Sequence, residues 1–499
     1  MYKDTVTASQ DICDTKLELP VETEILIPDY LPQVFKIVKC FLIPVVLQKQ
    51  VLTGRLTAEG YLRCVVYYQA EEDGTLCQTE QKIPFTKQVE LPTGDFGEAS
   101  VQVTGETEYV NCRALSGRRI DVRGAFELHV LVAAQVGGDL ITALAGEGVQ
   151  QKMVTLSGAK LVGSAEKLMT AQETVNFAQQ PAAVLSIQPC GVVEETKLLS
   201  GKAVLKGAVQ ADILCRAADG ALFHTMQDVP FNEILDLDGA DESCQACAWA
   251  DPTGCTIAQE EGENGAVNLS VTVMLSVRVW RETEYVAVAD AFSTQDEMEL
   301  TEGTVALEQA AVLEEDVDAQ ASGQMPDQSA KLLDALATPL TLQLVEEEGH
   351  TVLRGRAVAH VLCGNAAGEI DCYDKTCEYT VPGIYEGTPA DWIALCTAQV
   401  AGVTASQQGS EITAGVALKV KGLLMRRAGA QVLTGAVCLQ PRTREEDGVA
   451  LRIYFAQGGE ALFDIAKRYA APPEAIAAAN DLAGEVLEEP RQLLIPQTV

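Results

Sequence analysis

Four histidines, fifteen cysteines and a large excess of carboxylates are the side chains of this sequence that could do chemistry. His129, His224, His350 and His360 are scattered, with no partner at catalytic or metal-binding spacing along the chain. His129 and His360 fall inside alternating strand patterns, where packing or a surface position explains a histidine better than ligation does. HExxH, which would set two imidazoles on one helical face for zinc, does not occur, nor does the GxSxG of a serine hydrolase. GAKLVGS (Gly158 to Ser164) has the glycines of a phosphate loop. It lacks the lysine that must follow the second glycine to reach the β and γ phosphates.

CQAC (Cys244 to Cys247), with Cys255 nearby, offers three thiolates, yet no fourth ligand stands at zinc-finger spacing. The surrounding DLDGADESCQACAWADPTG reads as a polar loop carrying unpaired thiols. Asp and Glu are so abundant that no pair stands out as an acid and a base. The expectation is a non-enzymatic protein with no metal site and no cofactor.

The elements that would have to position any such groups belong to a folded chain. A length of 499 residues with 47% hydrophobic side chains predicts about three or four domains. Aromatics are scarce and Val, Ala and Leu plentiful, which suits sheets packed from aliphatic side chains. A formal net charge of −35 repels phosphate backbones and anionic headgroups, arguing against nucleic acid and membrane surfaces as partners. It favours solubility and, more specifically, a basic protein partner. The amino terminus has neither a basic n-region nor an apolar h-region, and the apolar run Phe41 to Leu47 is too short to span a bilayer. The odd number of cysteines, many inside strand patterns, reads as free thiols of a cytoplasmic protein.

Internal repeats decide the architecture. Ala58 to Leu91 aligns with Leu205 to Leu237, bringing Gly60 onto Gly207, Gly74 onto Gly220, Pro84 onto Pro230 and Phe85 onto Phe231. A weaker third copy, Leu353 to Pro382, sets Gly355 and Gly368 at the same spacing, with Tyr379 in place of Phe231 and Glu378 in place of the proline. A second β-rich half follows each copy. In NLSVTVMLSVRVW the residues Val267, Leu269, Val271, Val273, Leu275, Val277 and Val279 recur at every second position, the mark of a half-buried antiparallel strand. Phe126 to Val132 and Val416 to Leu424 repeat that pattern. The fold class expected is mainly β: repeated antiparallel sandwich-like domains over 20–145, 165–295 and 332–440. An acidic linker is expected over 296–331, and a second break at 440–448.

From Leu451 the period changes. LRIYFAQ alternates as a strand, Gly458 and Gly459 turn the chain, and Glu460 is placed in the first helical turn. Leu462, Ile465, Ala466 and Tyr469 then share one helical face. Pro472 and Pro473 start a second helix, Asn480 closes it as a C-cap, and QLLIP returns as a strand.

That βααβ order over 450–497 resembles the LysM domain. The residues that carry the likeness are Gly459, Leu462, Phe463, Ile465, Ala466, Tyr469, Asn480, Leu494, Ile495 and Pro496. The resemblance implies a groove formed by Gly459, Glu460, Ala461, Leu462, Phe463, Asn480 and Arg491, over a core of Ile465, Ala466, Tyr469, Leu494, Ile495 and Pro496. In the family this groove receives glycans containing N-acetylglucosamine. Here Glu460-Ala461 replaces the usual Asp-Thr, and Arg491 replaces a glycine, so a hydroxyl is lost and bulk is added. Glu22 to Cys40, with Ile27-Pro28-Asp29 and Pro32, followed by the glycine-spaced repeats, resembles the SPOCS domain of spore-forming bacteria. SPOCS-like repeats ending in a LysM unit are similar to the SipL type of coat morphogenetic protein. That resemblance implies a mother-cell cytoplasmic adaptor at the forespore surface. Its partners would be spore coat proteins, including the ATP-hydrolysing base-layer morphogenetic protein. The alternative is a cell-wall protein that binds peptidoglycan or another GlcNAc-containing glycan.

Overall fold

Alternating apolar and polar residues carry most of this chain into antiparallel strands. The computed structural model describes residues 1–52, 54–259, 267–325, 327–442 and 451–496. The first repeat runs β1 (Tyr2–Leu26), β2 (Val34–Leu52), β3 (Arg55–Ala70), β4 (Leu76–Glu90), β5 (Phe96–Ser116) and β6 (Arg119–Ala143). Its sheets, ordered β2-β3-β4 and β1-β6-β5, enclose one core around Tyr68, Phe126 and Leu128. The second repeat has β7 (Val149–Val175), β8 (Ala183–Leu199), β9 (Lys202–Arg216), β10 (Leu222–Asp236), β11 (Gln245–Gln259) and β12 (Val267–Ser293). It is built the same way, as β10-β9-β8 against β11-β12-β7.

The third repeat comprises β13 (Asp296–Gln324), β14 (Lys331–Pro339), β15 (Gln343–Glu347), β16 (His350–Gly364), β17 (Ile370–Tyr385), β18 (Trp392–Gln408) and β19 (Glu411–Pro441). Here the first strand of the inner sheet is split into β14 and β15, both pairing with β16. In the other repeats β2 bulges at Leu47 opposite Gly60, and β8 bulges at Glu194 opposite Gly207. In the third, the bulge has grown into residues 340–342, facing Gly355.

Each repeat begins earlier than its sequence pattern suggests, because its first long strand mixes small and polar residues among the apolar ones, and is acidic in β1 and β13. Residues 296–331, expected as a linker, hold β13, which pairs with β19 along its length. Leu313 and Ala319 are buried on one face while Glu314, Asp316 and Asp318 are exposed on the other. Alanines carry little hydrophobic signal, so Ala311, Ala319 and Ala321 weaken this alternation in sequence although they pack against the core. In the same way β1 pairs with β6 from Tyr2 onward, and β7 with β12 from Val149 onward. The expected break at 440–448 lies mostly outside the described residues.

The repeats close on one another head to tail. Lys36 Nζ of β2 reaches Asp371 of β17 at 2.6 Å. His224 Nε2 of β10 meets Asp334 of β14 at 3.0 Å. Tyr67 of β3 donates to the Leu185 carbonyl of β8 at 3.2 Å. The three inner-sheet hairpins meet where Tyr67, Leu76, Leu214, Leu362 and Ile370 pack together. Gly74, Gly220 and Gly368 turn them with φ of +69°, +87° and +81°, which explains the glycines aligned in sequence. At the other end the long strands continue as ribbons that share a core of Val6, Leu140, Tyr285, Leu307 and Val432.

A buried polar knot ties all three repeats together. The Ser9 amide donates to Glu308 Oε2 at 2.5 Å, and Gln135 Nε2 donates to Ser9 Oγ at 2.7 Å. Arg278 Nη2 donates to Ser9 Oγ at 3.1 Å, and Arg278 Nη1 to Ser100 Oγ. Arg278 and Glu308 are only 3% and 2% exposed. Each is a charge that the other must compensate across a short polar relay.

Candidate functional site

The carboxy-terminal unit is β20 (Leu451–Ala456), α1 (Leu462–Tyr469), α2 (Pro473–Asn480) and β21 (Arg491–Pro496), with β20 and β21 antiparallel. Gly459 turns the chain with φ +91°. Leu462, Ile465, Ala466, Ile476, Leu493 and Ile495 form its core. Tyr454 and Tyr469 stack edge to face at 5.6 Å.

Most residues expected to form a groove are used inside the molecule. Glu460 precedes α1 and does not lie in its first turn. Its carboxylate accepts from the Gln457 amide and from Tyr454 Oη, each at 2.8 Å, and these bonds hold it below the usual carboxylate pKa. The Gly459 amide donates to the Leu487 carbonyl at 2.7 Å, and Ala461 forms a bridge with Val486. The two loops that would flank a glycan are therefore pinned to each other. Leu462 is buried.

Asn480 is the last residue of α2, and Asp481 takes the left-handed cap, with φ +51°. The Asn480 side chain instead acts as a clasp. It donates to the carbonyls of Ile476 and Leu494, each at 2.8 Å, and accepts from the Leu494 amide at 2.7 Å. Arg491 Nη2 donates to the Asn480 carbonyl at 3.1 Å. Phe463 lies against Phe292 at the end of β12, ring centroids 5.3 Å apart, and Lys467 pairs with Asp290 at 2.6 Å. The unit is thus seated on the second repeat through a residue that the sequence assigned to partner binding.

Among its exposed charged residues the unit also presents large apolar side chains. Ile453 and Phe455 of β20 are 53% and 70% exposed, and Val486 is 54% exposed. The signal was present in LRIYFAQ, whose alternating positions are apolar on both faces of the strand. A two-stranded sheet covered by helices on one side needs only one such face.

A second concavity lies between the repeats. Its volume is about 1480 Å³, and β2, β5, β8, β11, β14 and β18 all contribute to its wall. Its charged groups are satisfied in pairs: Arg63 with Glu80 through two bonds of 2.9 and 2.7 Å, and Lys49 with Glu166 at 2.8 Å. Asp251 is held by Gln399 at 3.2 Å, and burial pushes its carboxyl up to about 6.

CQAC is not a loop. Cys247 and Cys255 lie on β11, eight residues and so about 26 Å apart along the strand, too far to share an ion. The Cys247 thiol donates to the Gly422 carbonyl at 3.2 Å. GAKLVGS is part of β7, paired with β12. His129 and His224 are each bonded to aspartate.

The inner sheets that wall this chamber are also where the chain matches a known family. The family model described as SipL, SPOCS domain matches residues 33–115 and 182–258. Two of the three repeats match the SPOCS domain. The matched segments correspond to β2–β5 and β8–β11, the inner sheet plus the adjoining edge strand of the outer one. A SPOCS segment here is thus one side of a sandwich, completed by the long strands β1 and β6, or β7 and β12. No curated protein matches the chain. No helix among the described residues is long and apolar enough to cross a membrane.

Proposed function

We propose that this chain is a non-enzymatic assembly adaptor of the spore coat. In this reading the terminal unit is a LysM domain that has been turned from sugar to protein. It docks a coat protein at the forespore surface, with the ATP-hydrolysing base-layer protein as the expected partner, from the mother-cell cytoplasm. The SPOCS match supports the link to sporulation and the coat. The strand, helix, helix, strand order with antiparallel ends supports the LysM reading.

The observation that carries the docking role is the exposed apolar pair Ile453 and Phe455 on β20, on a unit whose groove loops are pinned together. Apolar side chains displayed in this way suit a protein surface, whereas sugars need free polar donors and aromatic platforms within a groove. The net charge of −35 makes a basic partner surface the complementary one. Deleting residues 450–499 is expected to abolish recruitment to the forespore, and normal localisation of the truncated protein would refute the proposal. Titration with chitin or muropeptide oligomers separates the alternative, since micromolar binding would favour a glycan-binding cell-wall protein.

A further inference from the structure

The wall of the chamber carries a cluster that the adaptor role leaves unused. His360 on β16 stands directly across from Asp374 on β17. Cys372 is two residues before Asp374 and so projects from the same face of β17. One donor atom from each, the imidazole nitrogen, the thiol sulfur and a carboxylate oxygen, all lie within 4.8 Å of one another. His360 Nδ1 is 2.7 Å from Asp374 Oδ1, while its other ring nitrogen, Nε2, is 3.0 Å from Thr338 Oγ1. The ring is fixed edge-on against Phe41 at 4.7 Å. One nitrogen facing the cluster and the other held from behind is how proteins orient a metal-binding imidazole.

We propose that His360, Cys372 and Asp374 form a zinc site with three protein ligands. One nitrogen, one sulfur and one carboxylate oxygen make a borderline donor set suited to Zn²⁺, and poorly suited to Mg²⁺ or Ca²⁺. Tetrahedral zinc places its donors about 3.5 Å apart, so the widest separation in the cluster, within 4.8 Å, must close while the 2.7 Å between His360 Nδ1 and Asp374 Oδ1 opens slightly. On binding, the thiol proton leaves to solvent, while the imidazole keeps its single proton on Nε2, facing Thr338 Oγ1. His360 and Asp374 both line the chamber, so the fourth position opens onto it.

Lys39 opposes the ion. Its Nζ is 2.6 Å from Asp374 Oδ2, the oxygen that the imidazole does not use. Since Lys39 belongs to the first repeat and the ligands to the third, metal occupancy would be felt at the seam between them. Sequence scanning misses such a site because its ligands lie across a hairpin, twelve and fourteen residues apart, and not at finger spacing.

Cobalt titration of the full-length protein tests the proposal. Wild type is expected to show a thiolate-to-cobalt charge-transfer band that saturates at one equivalent assignable to this site and is abolished by zinc. Cys372→Ser should lose that band, His360→Gln should weaken binding at least tenfold, and Lys39→Met should tighten it several-fold. Metal-free Cys372→Ser should melt at the wild-type temperature, with only wild type raised by zinc. If Cys372→Ser kept the full band, or wild type gave none, the site would be excluded. Should a ligand variant fail to fold, the decision falls to Lys39→Met, where unchanged or weaker cobalt affinity refutes the assignment.

Discussion

Gly207 and Phe231 face each other across β9 and β10, and the Phe231 ring lies over the space that a Gly207 side chain would occupy. A Cβ there would lie 2.9 Å from Phe231 Cζ and well inside contact distance of the Val192 carbonyl oxygen. Gly60 with Phe85, and Gly355 with Tyr379, repeat the relationship in the other two copies. The glycine lets the bulged neighbouring strand approach, and the aromatic ring covers the gap that results. This pair is the structural content of the spacing that defines the repeat.

Gly207→Ala is therefore expected to destabilise the protein by about 1–3 kcal/mol, since the methyl group meets backbone and cannot be accommodated by a rotamer change. Gly254 is the control, because a methyl group added there would have nothing within 4 Å. Gly254→Ala should stay within about 0.5 kcal/mol of wild type. Denaturant unfolding of the two variants, compared by midpoint and slope, measures the difference.

The knot around Ser9 predicts a larger effect. Glu308→Gln keeps an acceptor for the Ser9 amide but removes the strongest countercharge acting on the buried Arg278 guanidinium, leaving Glu98. Desolvation already pulls the guanidinium below its usual pKa. A loss of about 3–5 kcal/mol is expected. The double variant Arg278→Met with Glu308→Gln should lose less than the two single costs summed, and additive costs in the double-mutant cycle would show that the two charges do not compensate each other.

His224 sits between Asp212 at 2.7 Å and Asp334 at 3.0 Å, and hydrogen bonds to both raise its pKa to about 10. Because the folded value lies above the unfolded one, the added stability is complete below about pH 6.5 and disappears as pH rises towards 10. The melting temperature of wild type relative to His224→Gln should fall across that window. A pH-independent difference would mean that His224 is not charged where it joins the second repeat to the third.

Much of this architecture is legible in sequence, and the failures share a cause. Alternation marks β6, β12 and β19 plainly because their inward residues are Val, Leu and Phe. It hides β13 because Val305, Leu307, Leu313 and Val317 are interleaved there with inward alanines and a buried Glu308, while many outward residues are acidic. Cys244 to Cys255 looks like a loop because the acidic, glycine-containing run before Cys244 leads into it and Pro252 and Gly254 interrupt it, yet Trp249 and Cys247 make apolar contacts with other repeats. The contact of Phe463 with Phe292 and the chamber between repeats leave no local pattern at all. Both arise from residues far apart along the chain.

Asn480 illustrates a residue whose importance was legible although its task was not. Asn480→Ala should expose or orphan the Leu494 amide and carbonyl, costing the terminal unit about 1–3 kcal/mol. Hydrogen exchange should show faster opening confined to 451–496, with the repeats unchanged. Uniform loss of protection would place Asn480 in the global fold instead.

The most direct test of the adaptor account is affinity capture from sporulating cells using the full-length protein with Ile453→Asp and Phe455→Asp together. Both side chains are exposed, so the variant should fold and melt like wild type. The account predicts that the base-layer coat protein captured by wild type is lost, while the variant remains monodisperse and folded. Undiminished capture of that protein by the folded double variant would contradict it.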